Sequence, residues 1–231
     1  MNPGINALIA ALPADEYDAV TREMHLVSLS KGQTLFEVGQ RPDHVHYPVG
    51  AVVSMINDAP DGSSLETYML GKTCMVGVGA VHMPSFYRAR VRSSGLAYRL
   101  SVDRLREIWA TCPTYRQGAQ LAMERIVMHM SQSVVCGKKH PVDQQLVRWL
   151  LITLDRTLTA RIDITHLELA DLLGFRREVV TLAMGRLTAA GAIATSRGAI
   201  TVLQRDLLER RSCDCYWVGS QRARSAMAQA A

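Results

Sequence analysis

The sequence predicts an α+β chain with three parts: an N-terminal β jelly roll over residues 1–112, a long helix and hinge over 113–139, and a C-terminal winged helix-turn-helix over 140–231. Three patterns carry this expectation. Short strand-like runs recur between glycines from residue 26 to 101. Apolar residues repeat at alternating steps of four and three between 115 and 136. Two short amphipathic helices then meet across Gly174 and lead into an alternating hairpin.

Taken in order, a helical start spans 6–24, and the clearest strand runs are 26–29, 34–38, 44–47, 51–55 and 65–70. Gly32, Gly39, Gly50, Gly62, Gly71 and Gly77 separate or end them, where turns demand a backbone other residues avoid. Short strands at this even spacing suggest a jelly roll, whose antiparallel sheets cover each other. Arg88, Arg90 and Arg92 alternate at strand spacing and would share one face, either a solvent-facing surface or an anion pocket. His44 and His46 share a face in the same way. Two such ligands without a convergent third read as ordinary histidines rather than a metal or haem site.

Residues 103–109 make a short helix, and Pro113 can open the next, since proline is tolerated in a first turn. Within that helix Ala119, Met123, Ile126, Met130 and Ser133 form a two-heptad seam, suited to a twofold mate or to packing on its own domain. Val127 and Val134 widen the stripe toward a second surface, taken as the barrel. Residues 137–141 break the helix and make a hinge before a further helix at 144–158.

The most specific stretch is 164–203. Thr165 is an N-cap with Glu168 three residues on, the capping-box pattern. Leu167, Leu169, Ala170 and Leu173 supply an apolar stripe, and Gly174 ends the helix. The second helix begins near Phe175, buries Val179 or Val180 with Met184 and Leu187, and carries Arg176, Arg177, Glu178 and Thr181 in its first turns. Gly191 stops it, and residues 193–202 alternate around Arg197-Gly198 as a wing. A polar N-terminal end on the second helix can enter a DNA major groove.

This segment resembles the C-terminal domain of the Crp–Fnr family, bacterial transcription regulators related to the cyclic-AMP receptor protein. The family pattern LA-x-x-LG-x-x-RE-x-V is matched by Leu169, Ala170, Leu173, Gly174, Arg177, Glu178 and Val180. The stretch KGQTLFEVGQRPDHVHYPVGAVV is similar to the opening of the family's sensor domain. The resemblance implies that the long helix pairs with its mate in a homodimer. It also implies that Arg177 reads guanine and Glu178 accepts from cytosine. Thr165, His166, Arg176, Thr181 and Arg197 complete the expected DNA-facing set, Arg176 toward a phosphate or a further base. Leu182 stands where the family commonly has a reading arginine.

The chain departs from the family at the cyclic-nucleotide cassette, a glycine-glutamate followed by arginine-serine-alanine. Val78 occupies the glutamate's place and cannot accept a ribose hydrogen bond, and residues 87–92 contain no arginine-serine-alanine. Met130-Ser131 falls where nucleotide binders supply a threonine and serine to the base. The expected pocket neighbourhood, Val78, Arg88, Arg90, Arg92, Met130 and Ser131, therefore disfavours cyclic AMP. No cofactor is expected and no effector is assigned.

Composition bounds the rest. Net charge is +5 over 231 residues, with 12 arginines, no lysines and 9 acidic residues after position 139, which suits an anionic partner. No apolar run approaches the ~20 residues of a membrane helix, and the start lacks the basic opening of a signal peptide, so a cytoplasmic protein is expected. The five cysteines, 74, 112, 136, 213 and 215, fit a reducing compartment. None lies near the N-terminus, as the family's oxygen-sensing cluster requires. Cys213-Asp-Cys215 is too closely spaced for the usual zinc pattern and has no obvious partner pair, so no metal site is expected.

No phosphate loop, nucleophile elbow or paired carboxylates point to an enzyme. The expectation is a dimeric DNA-binding transcription regulator whose hinge at 137–141 sets two DNA domains. Its partners would be twofold-symmetric double-stranded DNA, a second copy and RNA polymerase. A nucleotide-sensing module, for cyclic di-GMP for example, acting on a protein partner is the alternative.

Overall fold

A computed structural model describes residues 2–80 and 83–219. Among these the chain divides into two compact units. One comprises the residues up to 58 with 66–124, and the other comprises 59–65 with the residues from 125 on.

The first unit opens with two short helices, α1 (Ala7–Ala10) and α2 (Ala14–Thr21). Asn6 fixes their position. Its fully buried amide donates to the Pro48 and Cys74 carbonyls at 3.0 and 2.9 Å, and its Oδ1 accepts from the Leu8 N–H. The strands follow as β1 (His25–Leu29), β2 (Thr34–Phe36), β3 (His44–Pro48), β4 (Val52–Asp58), β5 (Ser64–Leu70), β6 (Arg88–Ser93) and β7 (Gly95–Ser101). They form a three-stranded sheet, β1-β7-β3, and a four-stranded sheet, β2-β6-β4-β5. The expected runs all become strands. β7, separated from β6 only by Ser94, is the centre of its sheet.

Gly95, the first residue of β7, lets the connection between β3 and β4 pass close by, since a Cβ there would sit 2.4 Å from the Ala51 nitrogen and 2.5 Å from the Gly50 carbonyl carbon. Of the expected turn glycines, Gly32, Gly39, Gly62 and Gly77 adopt positive φ. Gly50 and Gly71 are not among them.

Behind β3 and β7 lies the core: Val45, Tyr47 and Leu100 pack with Val102, Leu105 and Ile108 of α3 (Val102–Thr111) and with Tyr115 and Ala119 of α4 (Pro113–Lys139). Alternation puts the apolar members of each strand inward, and burial of each such side chain contributes about 1.5–3 kcal/mol before entropy is counted. The Tyr47 and Tyr115 hydroxyls meet at 2.5 Å inside this core. Pro113 is the first residue of α4, as its tolerance of a first turn anticipates. The helix runs through Gly137 and ends at Lys139, so the break falls at His140-Pro141 rather than at the glycine. Proline, not glycine, stops it, because the residue before proline is driven out of the α region.

The second unit carries the end of α4, then α5 (Val142–Arg156), β8 (Arg161–Ile162), α6 (His166–Leu173), α7 (Arg177–Ala189), β9 (Ile193–Ser196), β10 (Ala199–Val202), α8 (Arg205–Arg211) and α9 (Asp214–Gly219). The strands form one sheet in the order β8-β10-β9, with β10 antiparallel to both neighbours. The wing hairpin matches the expectation, while β8, α8 and α9 were not anticipated.

Candidate nucleic-acid interface

Local chemistry fixes both helices of the turn. The Thr165 hydroxyl accepts from the Glu168 N–H at 3.1 Å, and the Glu168 carboxylate accepts from the Thr165 N–H at 2.7 Å, closing the capping box at the start of α6. Gly174 ends α6 at φ 71°, a left-handed conformation that is nearly free for glycine and costly for a residue with a Cβ. The Phe175 N–H returns to the Ala170 carbonyl at 2.9 Å, and only three residues, Gly174 to Arg176, separate α6 from α7.

α7 then buries Val180, Ala183, Met184 and Leu187, which settles the choice between Val179 and Val180: Val179 is exposed. The opposite face presents Arg176, Arg177, Glu178, Thr181 and Leu182, all exposed, from the N-cap through the second turn. Arg177 is the first helical residue, where the unpaired N–H groups and the helix dipole favour an anion. An open recess of about 590 Å³ lies beside it, lined by Thr165, His166 and Leu167 of α6's start, by Arg177, and by the wing from Thr195 to Ala199, Arg197 included. The fold thus gathers Thr165, His166, Arg177 and Arg197 around one concavity. Thr181 joins through a 3.2 Å contact between its hydroxyl and His166 Nδ1. Partial burial, and then the Arg177 charge, lower the pKa of the His166 imidazole from its ordinary value.

Sequence reasoning overlooked one arginine of this helix. Arg186 forks onto Asp143 with Nε–Oδ2 at 2.8 Å and Nη2–Oδ1 at 2.5 Å, clamping α7 to the start of α5. It therefore serves position rather than readout.

The expected ligand-pocket residues have unlike surroundings. Val78 is buried in the apolar cluster with Val45, Tyr47 and Met75, so its side chain is core. The three arginines of β6 do not share one environment. Arg88 pairs with Asp58 at 2.9 Å, Arg90 is exposed and donates to the Gly32 carbonyl at 3.2 Å, and Arg92 is buried. The cause is a bulge: Val53 pairs with Val91 and Val52 with Ser93, leaving Arg92 as an inserted residue that breaks the two-residue alternation. Met130 is half-buried and Ser131 exposed on α4. His44 and His46 do share a face, both lining a recess of about 380 Å³ with Leu35, Asp43 and Arg41.

On α4, Ala119 is buried while Met123, Ile126, Met130 and Ser133 are half-buried. Val127 and Val134, expected to turn toward the barrel, are instead 64% and 67% exposed. The correction is angular: the helix's own buried side passes through Ala122, His129 and Cys136, nearly opposite Val127. The absence of a partner for Cys213 and Cys215 does not hold either, since Cys136 and His140 meet them in the fold.

Two short helices across a left-handed glycine, with a wing beside the second, define a winged helix-turn-helix. Residues 144–211 match the family of Crp-like helix-turn-helix domains. Among solved structures, FixK2 from Bradyrhizobium japonicum aligns with a TM-score of 0.68 at 13% identity, covering 82% of this chain and 98% of that one. A putative Crp/Fnr-family regulator from Eubacterium rectale aligns at 0.67 and 17%, covering 90% and 98%. The c-di-GMP-responsive regulator CLP from Xanthomonas campestris aligns at 0.61 and 15%, covering 82% and 99%. No curated protein matches the chain. Residues 144–211 are a Crp-like helix-turn-helix domain, and the chain as a whole has the fold of CRP/FNR-family transcriptional regulators, as the resemblance implied.

Proposed function

We propose that this protein is a homodimeric, sequence-specific DNA-binding transcription regulator of the cytoplasm that is not switched by cyclic AMP. The observation that carries the reading is the exposed N-terminal face of α7, with Arg177, Glu178 and Thr181 beside the Arg197 wing. Arg177 takes guanine O6 and N7 bidentately, Glu178 accepts from cytosine N4, and Leu182 favours a thymine methyl. Thr165, His166, Arg176 and Arg197 contact the backbone and set register.

Dimerisation uses α4. Met123, Val127, Met130 and Val134 recur at steps of four, three and four, the spacing of an a/d seam, and Val127 and Val134 are its most exposed apolar members. The seam is rotated from the one read off the sequence, Met123 and Met130 being common to both. A second copy across it would set two α7 helices one DNA turn apart, ~34 Å, over a twofold-symmetric site.

The effector reading rests on Val78. A core valine in place of the family's glutamate supplies no ribose acceptor. The likeness to CLP, described as c-di-GMP responsive, makes cyclic di-GMP the alternative ligand to test. RNA polymerase would be the further partner. Selection from a random duplex library is the functional test: a twofold-symmetric consensus is expected, and recovery of no enriched sequence by the purified protein refutes the proposal.

A further inference from the structure

Four side chains outside the DNA-facing set converge in the C-terminal unit. Cys136 lies in the last turn of α4 and His140 follows the helix's last residue, with the His140 N–H still donating to the Cys136 carbonyl at 3.0 Å. Cys213 precedes α9 and Cys215 lies in its first turn. One ligand atom from each residue lies within 4.8 Å of every other. The Cys136 and Cys213 sulfurs are 3.7 Å apart, and Cys215 Sγ is 3.4 Å from His140 Nδ1. A tetrahedron with Zn–S of about 2.3 Å and Zn–N of about 2.0 Å has S–S edges of about 3.8 Å and S–N edges of about 3.5 Å. Two edges already have those lengths.

The surroundings suit an anionic thiolate set. Gln132 Nε2 donates to Cys215 Sγ at 2.9 Å. Arg148 is buried, donating to the Ser133 hydroxyl at 3.1 Å and to the Cys215 carbonyl at 3.4 Å. Three thiolates and a dication leave one negative charge, which a buried guanidinium offsets and which gives that arginine a reason to be buried. The His140 carbonyl accepts from Gln145 Nε2 at 2.8 Å, orienting the turn that carries the imidazole.

We propose that Cys136, His140, Cys213 and Cys215 bind one zinc(II) ion. Binding releases the three thiol protons to solvent and leaves four protein ligands with no open position, so the site is structural rather than catalytic. It ties α9 to the last turn of α4 beside Pro141. Only the fold reveals it, because 77 positions separate Cys136 from Cys213.

The test uses full-length protein purified without chelator. Elemental analysis should find about one zinc per chain, lost in Cys213→Ser and Cys215→Ser but kept in Cys74→Ser. Protein stripped of zinc and titrated with cobalt(II) should show the d–d bands of a tetrahedral site and thiolate-to-cobalt charge transfer, a readout that does not depend on the folding of any variant. Zinc far below one per chain with an octahedral cobalt spectrum overturns the site. Iron with inorganic sulfide in place of zinc overturns the metal assignment, as does a Cys136–Cys213 disulfide in the purified protein.

Discussion

Glu16 offers a sharp test of how the long helix is anchored. Its buried carboxylate reaches from α2 to the start of α4, accepting from the Thr114 N–H at 3.0 Å and the Tyr115 N–H at 2.8 Å. These are orphan donors of a helix N-terminus, which otherwise need water. Burial works to raise the carboxyl's pKa, but the Thr114 and Tyr115 N–H groups, with Arg116 nearby, outweigh it and hold the pKa below the ordinary value. Thr114 is exposed, so water replaces its bond, whereas Tyr115 is fully buried and its N–H would be stranded. A charge-assisted bond at a buried donor contributes about 1.5–3 kcal/mol, and a negative charge at the helix start adds about 0.3–1 kcal/mol. Glu16→Ala should therefore cost about 2–3 kcal/mol at pH 7, and Glu16→Gln about 1–2 kcal/mol, since the amide keeps one acceptor. Because the folded pKa is depressed, this stabilisation is present above the unfolded pKa of about 4.5 and is lost as pH falls through the lower folded value. Urea denaturation at pH 7 and at decreasing pH, with hydrogen exchange at residues 113–118, measures it. A Glu16→Ala protein within about 0.5 kcal/mol of the parent, or a difference that does not shrink in acid, refutes the anchoring.

Three further outcomes follow from the same geometry. Val127→Glu and Met130→Glu place like charges across the proposed seam, so sedimentation should show monomers with weakened operator binding; an unchanged dimer rejects the seam. Burial, with His44 and Arg99 adding like charge, pushes the His46 imidazole down to about 4, leaving it neutral in the folded protein at pH 5–7. The unfolded chain takes up that proton first, so stability falls between pH ~6.5 and ~4, by about 3 kcal/mol at most. His46→Gln should flatten that limb of the stability profile, and an unaltered limb contradicts it. Calorimetry with cyclic AMP, cyclic GMP and cyclic di-GMP should find no micromolar cyclic-AMP site, and DNA binding should not require it; ligand-dependent binding with micromolar affinity means Val78 has been misjudged.

What was legible in the sequence was local. The capping box, Gly174, the apolar face of α7 and the Arg197-Gly198 wing are each specified within a few residues, and the strand runs follow from two-residue alternation and turn glycines. What was hidden depended on long-range juxtaposition or on phase. The bulge at Arg92 turns one arginine inward by a pairing irregularity that no alternation count contains. The outward rotation of Val127 and Val134 depends on which side of α4 its own chain covers, and heptad spacing alone admits more than one seam. Glu16 meets Tyr115 across 99 positions, and Arg186 meets Asp143 across 43. The Cys213-x-Cys215 pair looked isolated because its complement is a Cys-x-x-x-His at the end of a helix in another part of the chain.

The central claim is that the N-terminal end of α7 reads base pairs. The most direct measurement is the affinity of parent and Arg177→Ala protein for the selected duplex and for every single-base-pair variant of it, at one fixed salt concentration. The account predicts a loss of about 1–3 kcal/mol on the selected site, with discrimination relaxed at one position in each half-site and retained elsewhere. Equal binding by the two proteins, or a loss spread evenly over all sequences as for a phosphate contact, would contradict it.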